Sequence, residues 1–212
     1  MRVIAFHKPY HVLTQFTDPE GRTTLKSFID LRGIYAAGRL DYDSEGLLLL
    51  TDDGEINEAL TDPRHERPKV YWALVEGKAE TAQLAPFEHG VVVAGERMRP
   101  GKARIIADPR VGPRMSHADP ANPVLVPTRA YHETTWLEIV VHEGKKRQVR
   151  RMTAAVGLPC LRLIRYAIGP ITLDGLAPGD WRPLTEAEIY LLQESARHSP
   201  ARRRPKGEGG HG

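Results

Sequence analysis

The sequence predicts an α+β fold in which two lobes share one large, mostly antiparallel mixed sheet. Segments that read as strands outnumber those with helical spacing, and several are joined by links of hairpin length. The chain's 212 residues, 41% apolar and 27% charged, suffice for one sizeable core or two small lobes on a common sheet.

Residues 2–7 read as a first strand, ended by Lys8-Pro9. Pro19, Gly21 and Arg22 mark a loop, after which Thr24 stands as cap of a short helix with Leu25, Phe28 and Ile29 on one face. Residues 35–54 (YAAGRLDYDSEGLLLLTDDG) organise the rest: a turn from Gly38 to Asp41, a second acidic cluster, four leucines as a buried strand, and an Asp-Asp-Gly stop. Residues 55–60 form one or two helical turns before Pro63. The charged stretch DPRHERP (residues 62–68) then separates an N-terminal lobe, residues 1–62, from a C-terminal lobe, residues 63–196.

Residues 70–75 (VYWALV) are a strand by their aromatic and β-branched content. Residues 81–89 are helical with Pro86 interrupting, and residues 91–93 and 103–107 are short strands. Five prolines between residues 108 and 129 exclude regular structure there and predict a long loop. Residues 134–141 return to a strand with Thr135, Leu137, Ile139 and Val141 on one face. Residues 143–157 (EGKKRQVRRMTAAVG) read as a helix with Val149, Met152 and Val156 opposite Arg147, Arg150 and Arg151, stopped by Gly157 and Pro159. Residues 161–173 are strand-like, residues 181–184 extended, and residues 185–196 a helix with Thr185 and Glu188 as a capping box. The Arg-, Pro- and Gly-rich tail, residues 197–212, lacks apolar anchors and is expected to be disordered.

A net charge of +3 and a pI near 9.0 suit a polyanionic partner without requiring one. Cys160 is the single cysteine, so an internal disulfide framework and a Cys-rich zinc site are excluded. The N-terminus lacks the features of a signal or transit peptide and no stretch is long enough to span a membrane, so a cytoplasmic location is expected. His7 and His11 are separated by Pro9, which forbids the helix that would align them on a metal. No glycine-rich phosphate loop follows a strand and no Gly-x-Ser-x-Gly elbow is present, so neither a nucleotide cofactor nor acyl transfer is expected.

What remains is a carboxylate on a constrained loop, a cationic segment and interleaved aromatics. Asp41 is singled out among five nearby acids because Arg39 and Gly38 precede it; Asp52 and Asp53 read as ordinary turn formers. Lys145, Lys146, Arg147, Arg150 and Arg151 against Glu143 form a patch suited to phosphates or, more plainly, a solvated helix face. Arg162, Arg165 and the Arg-bearing proline loop favour nucleic acid. Tyr71 is a candidate for stacking on an exposed base, with core packing as its plainer role and Trp72 as a competitor.

Three segments in order carry a resemblance: Gly38-Arg39-Leu40-Asp41 with Ser44-Glu45-Gly46-Leu47-Leu48, then Lys69-Val70-Tyr71, then EGKKRQVRRM from Glu143 to Met152. Together they resemble the motif set of the pseudouridine synthases that modify ribosomal RNA, within the RsuA-type branch, over about residues 3–185. Residues 158–183, with LRLIRYAIG, are most similar to the short E-type large-subunit members of that branch.

The resemblance implies the pseudouridine synthase fold, with a central catalytic cleft. It also implies isomerisation of one uridine in 23S ribosomal RNA by breaking the ribose–N1 bond, turning the base and rejoining it through C5. Because no atom is gained, no cofactor is expected. By the same resemblance Asp41 is the essential carboxylate, Arg150 its ion-pair partner, and Tyr71 the ring that stacks on the uracil and limits water. Arg39 fills the gap left by the extruded base or contacts phosphate; Lys145, Lys146, Arg147, Arg151, Arg162 and Arg165 bind RNA, and Leu161 lines the pocket. Lys146 stands where many relatives have Asn and Tyr42 where several have Arg, which bears on target choice more than on activity. The alternatives are the same reaction on 16S ribosomal RNA or tRNA, a hydrolytic glycosidase, and a non-catalytic RNA-binding or ribosome assembly factor. The expected partner is ribosomal RNA, bound by a monomer, with no metal and no membrane.

Overall fold

A computed structural model describes residues 1–65, 67–128 and 131–197. In chain order its elements are β1 (Val3–Lys8), β2 (Tyr35–Ala36), β3 (Glu45–Thr51), α1 (Gly54–Thr61), β4 (Lys69–Glu76), α2 (Thr81–Leu84), α3 (Pro86–His89), β5 (Val92–Val93), β6 (Glu96–Arg97), β7 (Lys102–Ile106), β8 (Met115–Ser116), β9 (Val124–Leu125), β10 (Thr134–Val141), α4 (Gln148–Ala155), β11 (Cys160–Ile168), β12 (Ile171–Thr172), β13 (Trp181–Pro183) and α5 (Glu186–Arg197). Among the described residues nine strands form one sheet in the order β13-β1-β3-β11-β4-β10-β7, with β2 on β3 and β12 on β11. Every pairing in it is antiparallel except β3 with β11, so the sheet is mixed, as expected.

All seven residues of β3 are buried because the strand is covered on both faces. Leu47 and Leu49 pack into a core with Val3, Ile56, Leu60, Ile164, Leu184 and Leu192. Leu48 and Leu50 point the other way, onto Phe6, Leu25, Ile29 and Ile34. The four-leucine run is thus two alternating pairs feeding two cores, each leucine contributing about 1.5–3 kcal/mol of burial. A third core lies beneath β4 and β10, where Ala73, Val75, Leu137 and Ile139 meet Leu84, Phe87, Val149 and Met152 from the helices. After β12 the chain returns to the N-terminal half, where β13 pairs with β1 and α5 packs on α1.

The joint between β3 and β11 is only two registers long, Glu45 with Ile164 and Gly46 with Arg165. Gly46 has φ of +117°, and a Cβ there would lie 2.4 Å from the Arg165 carbonyl oxygen, so only glycine admits this approach. Beside it Glu45 and Arg162, 4% and 6% exposed, form a bidentate ion pair at 2.7 and 2.8 Å. Lys8, 0% exposed, donates to the carbonyls of Pro9 at 2.9 Å and Val12 at 2.8 Å and so pins the turn after β1.

Several expectations are corrected. The helix read over residues 143–157 begins only at Gln148, because Arg147 adopts a left-handed φ of +51° that ends the preceding turn. The span expected to lack regular structure contains the β8–β9 hairpin, whose four paired residues fall between the prolines. Thr24 caps nothing: its hydroxyl goes to the Phe16 carbonyl and the following turn is a 3-10 helix, Leu25–Ser27. Asp53 does cap α1, accepting from Glu55 and Ile56 at 2.9 and 3.0 Å, and Thr185 with Glu188 forms the expected capping box. Residues 198–212, the basic tail, lie outside the described residues.

Arg162→Met should lower stability by about 3–5 kcal/mol by leaving a buried, unpaired Glu45. Adding Glu45→Leu should restore most of that loss in urea titrations; equal loss in both variants would show that the strand joint does not depend on the charge of Glu45. Lys8 sets a pH dependence. Burial pushes it down from 10.5 to about 7, with Arg165 adding to the fall and Glu45, Asp43 and Asp41 opposing it. Between those two values the unfolded chain binds the extra proton, so stability rises with pH, while below the lower value the full penalty of burying the charge applies. Lys8→Met should flatten that rise when denaturation midpoints are compared across the window, and an unchanged slope would assign it to another group.

Candidate active site

Asp41 sits in the loop between β2 and β3, where four contacts hold the backbone. Its carbonyl accepts from Ser44 N at 3.0 Å. Thr14 Oγ1 donates to the Leu40 carbonyl at 2.6 Å, and Arg165 donates to the carbonyls of Arg39 through Nη1 at 3.3 Å and of Leu47 through Nε at 2.7 Å. One guanidinium from β11 therefore ties the loop before Asp41, at Arg39, to the strand that follows it, at Leu47. Leu40 is buried, whereas the Asp41 carboxylate is part-exposed and lines a cavity of about 760 Å3 between the two halves of the sheet.

Across the cavity stands the turn that precedes α4. Glu143 accepts from Arg99 N at 2.9 Å and Gln148 Nε2 at 2.7 Å, and Gln148 accepts from Lys145 N at 3.2 Å, so this turn is rigidly tied. Arg147 projects from it and binds Asp43 through both terminal nitrogens, at 2.8 and 2.9 Å, with Asp41 Oδ2 3.8 Å from Nη1. Burial pushes the Asp43 carboxyl up, but the Arg147 hydrogen bonds and the charges of Arg150 and Arg147 outweigh it and hold the group below its usual range.

Arg150 does not take the place expected of it. Its Nη2 donates to the Asp43 carbonyl at 2.6 Å and its Nη1 to the Cys160 carbonyl at 3.1 Å, and it lies 3.6 Å from the Asp43 carboxylate. The guanidinium that comes within 4 Å of Asp41 is that of Arg147. The reason is the late helix start: Arg147 leaves the turn towards the loop, while Arg150, inside α4, lies over the start of β11.

Tyr71 on β4 is 9% exposed, lines the cavity and stands directly across from Arg165 of β11. Trp72 points to the opposite face and stacks on Tyr166 with centroids 4.0 Å apart, so the two aromatics do not compete. Arg39, Lys145 and Lys146 also line the cavity, Lys145 with its ammonium on Glu96 at 2.7 Å; Arg151 does not. Arg162, expected at an RNA surface, is instead the internal strut described above. Leu161 does not line the cavity, but Leu163 does, because a register shift between Cys160 and Arg162 places Leu161 at a β-bulge and re-aims its side chain.

Lining residues that the sequence does not mark as site candidates include Ser44, Lys69 and Leu163. Lys69 lies two positions before Tyr71, a same-face spacing that strand alternation makes legible. Burial pushes its ammonium down to about 8, and Arg165 and Arg67 add to the fall. Of the lining acids, Asp62 is bound by Arg64 and Glu143 by its turn, which leaves a cleft dominated by positive charge around Asp41. Such a cleft suits an anionic polymer that presents one group to a carboxylate.

Asp43→Asn combined with Arg147→Gln in a double-mutant cycle should yield a coupling of about 0.2–1 kcal/mol, because the pair is partly exposed to solvent. Strict additivity would show that the pair does not form in solution.

Residues 2–155 match the family model for RNA pseudouridylate synthase. The chain is 48% identical over 184 residues to the ribosomal large subunit pseudouridine synthase E of Vibrio vulnificus, covering 87% of this chain and 75% of that one. It is 49% identical over 183 residues to the protein of the same name from Xanthomonas campestris, covering 85% of this chain and 94% of the other. A crystal structure of a pseudouridylate synthase superposes with a TM-score of 0.73 at 29% identity, over 90% of this chain and 73% of that one. The mixed sheet, the cleft and the match over most of its length agree: the chain belongs to the RNA pseudouridylate synthase family.

Proposed function

We propose that this chain converts one uridine of large-subunit ribosomal RNA to pseudouridine, acting as a cytoplasmic monomer. The observation that carries the reading is the convergence of Asp41, Tyr71 and Arg147 on one cleft between the two halves of the sheet. The relatives named above act, by their names, on the large ribosomal subunit. No helix among the described residues is long and apolar enough to cross a membrane.

In the reaction the N1–C1′ bond breaks and its electron pair leaves with the base. The base turns, a C5–C1′ bond forms, and the proton displaced from C5 ends on N1. Atoms and electrons balance without a co-reactant. Asp41 supplies the carboxylate on a loop braced by Arg165, with positive charge facing it from Arg147, while Arg150 holds the Asp43 backbone. Tyr71 and Leu163 form the apolar floor on which the uracil lies, and they keep water from the detached base, whose hydrolytic loss would leave an abasic site. Arg39, Lys145, Lys146 and Arg151 carry the phosphate backbone that leads to the target.

Asp41→Asn should lower pseudouridine formation by at least about 10^3-fold while RNA affinity changes by less than about threefold. Pseudouridine mapping of large-subunit RNA from cells lacking the chain should show one site unmodified, restored by the wild type and not by the variant. An active variant would remove Asp41 from the chemistry, and free uracil released from RNA by the wild type would mark a glycosidase instead.

A further inference from the structure

We propose that Arg165 and Ser44 read a carbonyl oxygen of the uracil and hold an oxygen at the same place before and after the base turns. This rests on the isomerase reading above. Both residues line the cavity, Arg165 at 5% and Ser44 at 1% exposure. Arg165 Nη2 and Ser44 Oγ are buried and find no hydrogen-bond partner among the described residues. A buried polar group left unmade costs about 1–3 kcal/mol, a cost that an occupied site removes when its ligand brings the partner.

The direction of the orphan donor is set by its neighbours. A guanidinium is planar, so with Nε on Leu47 and Nη1 on Arg39, Nη2 has no freedom of its own. Arg165 pairs with Tyr71 on one side and with Gly46, which has no side chain, on the other. Ser44 is held two residues before Gly46 by its N–H on Asp41. Both orphans belong to residues that line the same cavity as Tyr71 and Asp41, and Arg165 stands opposite Tyr71, so a base stacked on that ring would lie against the wall they form.

Uracil presents carbonyl acceptors at C2 and C4, one on each side of N3. A half-turn about the N3–C6 axis brings C5 to the position of N1 and exchanges the two carbonyls. A donor pair at that edge thus meets an oxygen in uridine and again in pseudouridine. The pair reads the C4 oxygen in uridine and the C2 oxygen that replaces it in pseudouridine; cytosine carries an amino group at C4, so in the same orientation as uridine it sets donor against donor. The electron pair left on the detached base also spreads onto both carbonyl oxygens, and a hydrogen bond from a cation strengthens as that charge develops.

The full chain is titrated with uridine, cytidine and pseudouridine 5′-monophosphates, following the aromatic NMR signals, with pseudouridine formation on RNA assayed in parallel. Wild type should bind the uridine nucleotide on the order of 10-fold or more tighter than the cytidine one, from one charge-assisted hydrogen bond. The pseudouridine nucleotide should fall within about threefold of the uridine one, since both offer the same acceptor. Ser44→Ala, which removes an oxygen with no protein partner, should narrow the preference, and Arg165→Met should bring it close to one. Equal binding of uridine and cytidine nucleotides, as a site for the phosphate would give, overturns the proposal. So does a preference that survives in both variants, or failure of either nucleotide to bind. If any of these is found while RNA is still modified, the base-reading role falls and the isomerase reading stands; a uracil preference without pseudouridine formation gives the reverse.

Discussion

The two halves of the sheet touch through a parallel contact of two registers, Glu45 on Ile164 and Gly46 on Arg165, and the loop that carries Asp41 hangs from that contact. Arg165 lies in the register, holds the loop at the Arg39 carbonyl and the strand after it at the Leu47 carbonyl, and keeps one buried nitrogen without a partner among the described residues. A contact this short cannot rely on many backbone hydrogen bonds. Its register is specified by the bidentate Glu45–Arg162 pair and by the absence of a Cβ at Gly46, both of which a slip of one residue would destroy. A buried ion pair adds little net stability over an apolar one, so its value at this place is the single alignment it permits.

Charge on the loop follows from the same geometry. Asp41, Asp43 and Glu45 alternate along a few residues and meet three different arginines: Arg147 at Asp41 and Asp43, Arg150 at the Asp43 backbone, and Arg162 at Glu45. Glu45 is spent on architecture. Asp43 orients the guanidinium that faces Asp41, and Asp41, the least engaged of the three, is left towards the cavity. The gradient from fully paired to loosely paired acids runs from the sheet outward, which leaves the part-exposed Asp41 carboxylate at the cavity wall.

Strand β4 is legible from its aromatic and β-branched content, β10 because its alternation matches burial on one face, and the four leucines because no surface element carries such a run. The helix at α4 was read five residues too early: the basic spacing continues upstream of Gln148, and only the backbone shows that Arg147 turns left-handed. The resemblance points to Leu161 as the pocket residue, but the bulge between Cys160 and Arg162 leaves Leu163 to line the cavity, and a bulge has no local sequence signal here. Arg162 and Arg165 look alike in sequence to any surface arginine. Their partners lie more than a hundred positions away, at Glu45 and Leu47, and nothing local announces a contact at that distance. Asp41 was separable from its acidic neighbours only by the motif around it, which is why its partner was assigned from the family pattern to Arg150 when Arg147 stands nearer.

The division of labour between strands and loops bears on how such a site changes target while keeping its reaction. Tyr71, Lys69, Leu163 and Arg165 lie on β4 and β11, the central strands, where backbone hydrogen bonds on both sides fix side-chain positions. Sites built on such elements hold reacting geometry more closely than sites on loops. Arg39, Lys145, Lys146 and Arg147 come instead from the turns at the rim, where one substitution changes the charge of the cleft without moving the floor. Tyr42 and Lys146 both fall in those turns. A change of RNA partner can therefore accumulate at the rim, one cation at a time, while the braced loop and the two strands beneath it continue to present the same carboxylate to the same ring.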